Sequence, residues 1–265
     1  MINKLPDNLR EFTHFAENPF CIFEKKNFLE DSLYNELRDN FPKEENFVSI
    51  HSNGKKMFLN NKQKEFYQFI DKNIWSEFYS FFNRKEICKR FINLIRDHLN
   101  SIENRKNTKD YYFIKNFNNS FYQKVTNKFL KLLNHDSIRL GFEFSIIKKN
   151  CFIPPHCDTE NKLLSLMIYF PPEQNEILSE KYENIGTNFY KLTNSKGKNL
   201  DIWESKYLDK DTSRVFYENY KLFYNSKFEK NKLTGFIKNE KSWHDVKQFE
   251  DDIIRKSLNI NLYII

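Results

Sequence analysis

Apolar and polar positions change rhythm about halfway along this chain. Pro19-Phe20-Cys21-Ile22-Phe23 is a short apolar run fit for a strand. Asn27 and Glu30 then have the spacing of a helix N-cap with its reciprocal partner. Leu29, Leu33 and Leu37 repeat every four residues until Pro42 stops the helix, which predicts a first β-α unit. Over residues 64–99, Phe66, Phe69, Ile70, Ile74, Phe78, Phe81, Phe91, Leu94, Ile95 and Leu99 keep helical spacing. They predict two helices broken near Asn83-Arg84 and packed on a sheet.

The second half is β-rich. Residues 140–147 and 163–170 read as strands on either side of Pro154-Pro155-His156, and 187–192, 233–238 and 257–264 as further strands. The last alternates apolar residues at Leu258, Ile260, Leu262 and Ile264. Residues 173–185 and 195–230 are charged and aromatic, too long for hairpin turns, and are expected to be insertions of the kind that cover active sites. The order of elements predicts an α+β protein, one domain over 1–265. A mainly helical part (1–135) covers one face of an antiparallel barrel or sandwich (136–265).

Composition adds bounds. The chain has 265 residues, enough for one large core, with 28 Phe but only five Gly, so rings must fill much of the interior. The formal charge of +7 is compatible with an anionic ligand. Charges of both signs are mixed, however, with no long basic run, which argues against nucleic acid. Four cysteines (Cys21, Cys88, Cys151, Cys157) form no CxxC pair, so free thiols in a reducing, cytoplasmic compartment are expected. The first dozen residues carry charges and lack the apolar core of a signal peptide. No run approaches the roughly 18 apolar residues of a membrane span.

Chemistry concentrates in three places. His156 and Asp158 are two residues apart, so an extended segment puts both on one face and Cys157 on the other. With the distant His244 they supply two imidazoles and a carboxylate, the donor set of a facial triad that leaves positions on Fe(II) open. Beyond His244, with ten residues between, comes Arg255-Lys256-Ser257. A guanidinium and a hydroxyl there share a strand face and suit the far carboxylate of a 2-oxo acid. Taken singly, His-x-Asp reads as a loop pair and His244 as an ordinary histidine; the ordered set is what carries weight.

The sequence here resembles the 2-oxoglutarate- and Fe(II)-dependent oxygenases, prolyl-hydroxylase-like branch, in His156, Asp158, His244, Arg255 and Ser257. Residues 165–171 and 186–190, Trp243-His244, and the opening Pro19-Phe20 with Phe41-Pro42 are similar as well. The resemblance implies a double-stranded β-helix (jelly-roll, cupin-like) core with N-terminal helices on one sheet. It also implies Fe(II) on His156, Asp158 and His244, and 2-oxoglutarate as cosubstrate with Arg255 and Ser257 on its 5-carboxylate. O2 would be consumed, succinate and CO2 released, and a substrate hydroxylated. Two positions depart from the pattern: Ile147 stands where many members place a tyrosine, and Asn150 where they often have glycine. Tyr169 is therefore the nearest candidate for an extra oxo-acid contact.

For the substrate, Tyr182, Tyr190, Trp203, Tyr207, Arg214, Tyr217 and Tyr220 are available to line a site for a small polar or anionic molecule. A saccharide or nucleotide sugar comes first and a peptide residue next. The alternatives are a non-catalytic cupin-like metal-binding module and a nucleic-acid demethylase. Oligomeric state is not readable.

Overall fold

The computed structural model describes residues 12–16, 18–71, 73–101, 111–113, 136–172, 185–193 and 208–264. Eight strands form a jelly roll: β6 (Asp136–Ile147), β7 (Ile153–His156), β8 (Lys162–Tyr169), β9 (Thr187–Leu192), β10 (Tyr220–Ser226), β11 (Leu233–Ile237), β12 (His244–Val246) and β13 (Arg255–Ile264). The order β11-β8-β13-β6 lies within the large sheet, and the order β10-β9-β12-β7 makes the small one. Successive strands, β9 and β10 apart, therefore cross between two facing antiparallel layers, the double-stranded β-helix that the resemblance implied.

The N-terminal part is less purely helical than the spacing suggested. It adds β1 (Thr13–Ala16) and β2 (Ile22–Lys25) beside β11, and β3 (Ser49–Ile50) and β4 (Met57–Asn60) beside β6. β5 (Tyr111–Phe113) runs parallel to the start of β6. Such two- to four-residue strands are too short to show a period.

α1 (Asp31–Asp39) is where the leucine repeat placed it, but Asn27 does not cap it. Asn27 has φ 49° and the cap position is Glu30, without a side-chain capping bond. The backbone entering the helix is instead held by Asn231, whose Oδ1 accepts from Leu29 N at 2.9 Å and whose Nδ2 donates to Leu29 O at 2.8 Å. The second helical region is broken twice, giving α2 (Lys64–Ile70), α3 (Ile74–Phe82) and α4 (Lys85–Ser101). The additional break has a local cause: Asn73 Oδ1 caps α3 by accepting from Trp75 N at 2.8 Å.

The helices cover the outer face of the large sheet. Ile138, Leu140, Phe142, Phe144 and Ile146 of β6 join Leu258, Ile260 and Leu262 of β13 in one core with Phe66, Trp75, Phe78 and Phe82. Phe144 sits at its centre, with ring centroids of Trp75 at 4.7 Å, Phe41 at 5.4 Å and Phe69 at 5.6 Å, all edge-on. α1 is tied to the sheet by Tyr34, which stacks on Phe170 at 5.3 Å and donates to Tyr169 O at 3.0 Å. The apolar half of the β13 alternation thus faces the helices, outside the jelly roll, and the space between the two sheets is left to the other half.

Part of the expected insertion 195–230 is regular structure: α5 (Lys210–Asn219) runs directly into the core strand β10. Residues 173–184 and 194–207, with Tyr182, Trp203 and Tyr207, lie outside the described residues. Among the described residues no helix is long and apolar enough to cross a membrane.

Removing the central ring tests this core. Phe144→Ala should cost about 3–5 kcal/mol of unfolding free energy, read from urea denaturation.

Candidate metal and oxo-acid site

Strand pairing brings the two histidines together. In the antiparallel register of β12 on β7, His244 is the direct partner of His156, and their ring centroids are 4.2 Å apart. Asp158 follows two residues after His156, and the ligand atoms of His156, Asp158 and His244 all lie within 4.8 Å of one another.

Hydrogen bonds prepare each group for a cation. His156 Nδ1 is 2.9 Å from Pro154 O, and His244 Nδ1 is 2.9 Å from Ser242 O. A carbonyl only accepts, so each Nδ1 carries the proton and each Nε2 the lone pair. Burial, with the charge of the neighbouring imidazole, holds His156 well below its ordinary pKa, and burial lowers His244 too. Burial pushes the Asp158 carboxyl up, but the surrounding positive charge, the Lys162 ammonium first, outweighs it and holds it ionised. Lys162 Nζ lies 2.7 Å from Asp158 Oδ1 and Ser165 Oγ 3.2 Å from Oδ2, which orients the carboxylate while each oxygen keeps a second lone pair. Two neutral imidazoles and a carboxylate are the protonation states and donor types that ferrous iron takes. The residues therefore fit the ion.

Arg255 and Ser257 open into the same cavity of about 280 Å³, together with His156, Asp158 and His244. Arg255 is buried, its Nε donating to Ile185 O at 2.8 Å, its Nη2 to Thr187 Oγ1 at 3.1 Å and its Nη1 to Ser257 Oγ at 3.3 Å. Ser257 Oγ is in turn 2.8 Å from Ser145 Oγ. Among the described residues no carboxylate pairs with this guanidinium, and burial lowers its pKa. Its cross-strand partner on β6 is the apolar Ile147.

Tyr169 does not line the cavity. Its ring lies against the guanidinium, with Arg255 Cζ 5.0 Å from the centroid, and its hydroxyl turns to Thr187 and Ser226. Tyr169, expected as an extra oxo-acid contact, thus sits directly against Arg255 at that end of the site. Of the tyrosines considered for the substrate, Tyr190 is buried and donates to Asp245 Oδ2 at 2.9 Å, and Tyr217 on α5 donates to the same oxygen at 2.5 Å. Arg214 points outward beside Glu218, and Tyr220 packs on Phe216 and Trp243.

The sequence reading missed the polar wall beyond the metal ligands. Lys56, Glu143, Lys162, Asn259, Asn261 and Tyr263 line that part of the cavity. Its signal was present in β13: Ser257, Asn259, Asn261 and Tyr263 occupy the positions between the apolar ones. Lys56 Nζ lies 2.6 Å from Glu143 Oε1, and Asn259 Nδ2 3.4 Å from the same oxygen. Burial raises the Glu143 carboxyl, but the Lys56 ammonium and its hydrogen bond, helped by Lys162 and His51, bring it below the ordinary value.

Two outcomes follow from this geometry. His156→Ala and His244→Ala should each abolish stoichiometric Fe(II) binding in anaerobic calorimetry while leaving the far-ultraviolet spectrum unchanged. Lys56→Met should cost about 1–3 kcal/mol at pH 7, because it leaves a part-buried carboxylate without its cation. A depressed carboxylate stabilises above its unfolded pKa and loses that stabilisation as pH falls through its folded value. The gap between Lys56→Met and the unmodified protein should therefore shrink below about pH 4 in urea titrations.

No family model matches the chain, and no curated protein matches it. The chain is similar to solved structures of prolyl hydroxylases and other 2-oxoglutarate- and iron-dependent enzymes. One is a prolyl-4-hydroxylase of Pseudomonas putida, at 8% identity and TM-score 0.47, covering 92% of this chain and 93% of that one. Another is the viral collagen prolyl hydroxylase of Paramecium Bursaria Chlorella virus-1 in its 2-oxoglutarate complex, at 12% identity and TM-score 0.40, covering 92% and 96%. A third is a non-heme alpha-ketoglutarate-dependent epimerase from nogalamycin biosynthesis, at 10% identity and TM-score 0.48, covering 91% and 78%.

Proposed function

We propose that this protein is an Fe(II)- and 2-oxoglutarate-dependent oxygenase that hydroxylates a small polar or anionic molecule, a saccharide or nucleotide sugar first, releasing succinate and CO2. The observation that carries this reading is a single cavity holding both a His-Asp-His cluster and a buried guanidinium without a carboxylate partner among the described residues. A structural metal site has no use for the second feature. A buried cation is costly unless an anion joins it, and a dicarboxylic oxo acid spanning the two features supplies one.

His156, Asp158 and His244 are assigned to the metal, and Arg255 with Ser257 to the 5-carboxylate of 2-oxoglutarate. Iron, when bound there, supplies the O2 chemistry, and the protein supplies position and exclusion. Nδ1 bonds to backbone carbonyls keep both imidazoles turned inward, Lys162 keeps Asp158 ionised, and the Arg255 fork fixes one end of the oxo acid by two parallel donors. Beyond the metal ligands, two ammonium groups (Lys56, Lys162) face two carboxylates (Glu143, Asp158), with Asn259, Asn261 and Tyr263 between them. That mixture of donors and acceptors suits a hydroxyl-bearing ligand better than an apolar one.

Strands from both ends of the chain share the large sheet, in keeping with one oxygenase domain. Four free cysteines suit a cytoplasmic, reducing setting.

With Fe(II), O2 and 2-oxoglutarate the protein should form succinate slowly even without a second substrate. Arg255→Ala should raise the KM for 2-oxoglutarate by about 10- to 100-fold with iron affinity unchanged. Absence of any succinate from the iron-loaded protein would sink the assignment.

A further inference from the structure

From Arg255 a line of hydroxyl groups leads away from the cavity to a buried carboxylate. Arg255 Nη2 is 3.1 Å from Thr187 Oγ1, which is 2.9 Å from Tyr169 OH, which is 3.3 Å from Ser226 Oγ. Ser226 Oγ is 2.6 Å from Thr234 Oγ1, which donates to Glu24 Oε1 at 2.8 Å. Every one of these side chains is buried, and the line passes from β13 through β9, β8, β10 and β11 to β2. Glu24 is anchored at the far end by buried Lys232, whose Nζ lies 3.5 Å from Oε2.

The two ends dictate the direction of every proton. A guanidinium only donates, a carboxylate only accepts, and each hydroxyl has one proton. Thr234 gives its proton to Glu24 and must accept from Ser226. Ser226 therefore accepts from Tyr169, Tyr169 from Thr187, and Thr187 from Arg255. Met167 Sδ, 3.6 Å from Thr187 Oγ1 and 3.9 Å from Tyr169 OH, is too weak an acceptor to redirect them. Hydroxyls aligned in series between opposite charges polarise one another, so loss of the anion weakens the whole line.

We infer that Glu24 is a positioning residue for the oxo-acid clamp, acting through Thr234, Ser226, Tyr169 and Thr187 to hold the Arg255 fork in register with Ser257. This rests on the oxygenase reading. It also has a chemical consequence: the Thr187 and Tyr169 protons point away from the cavity, so neither is available to a bound carboxylate. Arg255 and the Ser257–Ser145 pair are the donors at that end. Selectivity for an oxo acid with a second carboxylate then depends on a residue three strands away on the same face of the large sheet, outside the cavity lining.

The test is anaerobic calorimetric titration of the Fe(II)-loaded protein with 2-oxoglutarate and with 2-oxopentanoate, which has a methyl group in place of the far carboxylate. Glu24→Gln keeps shape and an acceptor oxygen but removes the charge. Thr234→Val interrupts the line without touching Arg255, and Ser226→Ala interrupts it one step nearer should either of the others fold poorly. Each should reduce the preference for 2-oxoglutarate over 2-oxopentanoate by about five- to tenfold, with 2-oxopentanoate and iron affinities within about twofold of the unmodified protein. Variants that keep the original preference, or that weaken both oxo acids alike, overturn the positioning role. An unmodified protein that binds both oxo acids equally overturns the clamp itself, a separate result.

Discussion

Alternation along β13 is the constraint on which the molecule depends. Leu258, Ile260 and Leu262 go to the helices, while Arg255, Ser257, Asn259, Asn261 and Tyr263 go to the space between the sheets. A slip of one residue against β6 or β8 would drive the guanidinium into the phenylalanine core and expose leucines to the cavity. Ten consecutive pairs with β6 and six with β8 hold that register, so the strand that closes the core also sets the site. β7 and β12 are short by comparison, and their pairing matters chiefly for setting His244 opposite His156.

The cavity that results has unequal ends. At one, Arg255 with Ser257 and Ser145 presents a cation and hydroxyls but no carboxylate. At the other, Lys56 and Lys162 are matched by Glu143 and Asp158. An anion gains most at the first end and little at the second. On the proposed reading this difference alone orients 2-oxoglutarate, far carboxylate toward Arg255, and leaves the balanced end for a second, more neutral molecule.

Legibility in the sequence followed length of pattern. β6, β8, β9, β11 and β13 were readable to within a few residues at most ends, because each spans five or more residues with recurring apolar or β-favouring side chains. β1, β3, β4 and β5 were not readable, since two to four residues carry no period. β10 escaped for another reason: its pattern of one buried residue at each end and five partly or fully exposed ones resembles a loop. The three residues of the His-Asp-His cluster were named from their order in the sequence, yet the polar wall of Lys56, Glu143 and Lys162 was not. Those charges meet only after β4, β6 and β8 are aligned, and nothing local distinguishes them from surface charges.

That same misreading of 195–230 changes what surrounds the metal ligands. α5, expected within a covering insertion, is fastened to both ligand strands: Leu208 N, just before it, donates to Pro155 O at 3.2 Å, and Tyr217 reaches Asp245, the neighbour of His244. Asp245 is buried, and burial raises its carboxyl; Tyr217, Asn188 and Tyr190 offset part of that by donating to it. An acceptor so enclosed is best satisfied with all three donors in place, which ties the seat of α5 to the position of β12. Helix α5 and strands β7 and β12 are therefore fastened together by these bonds.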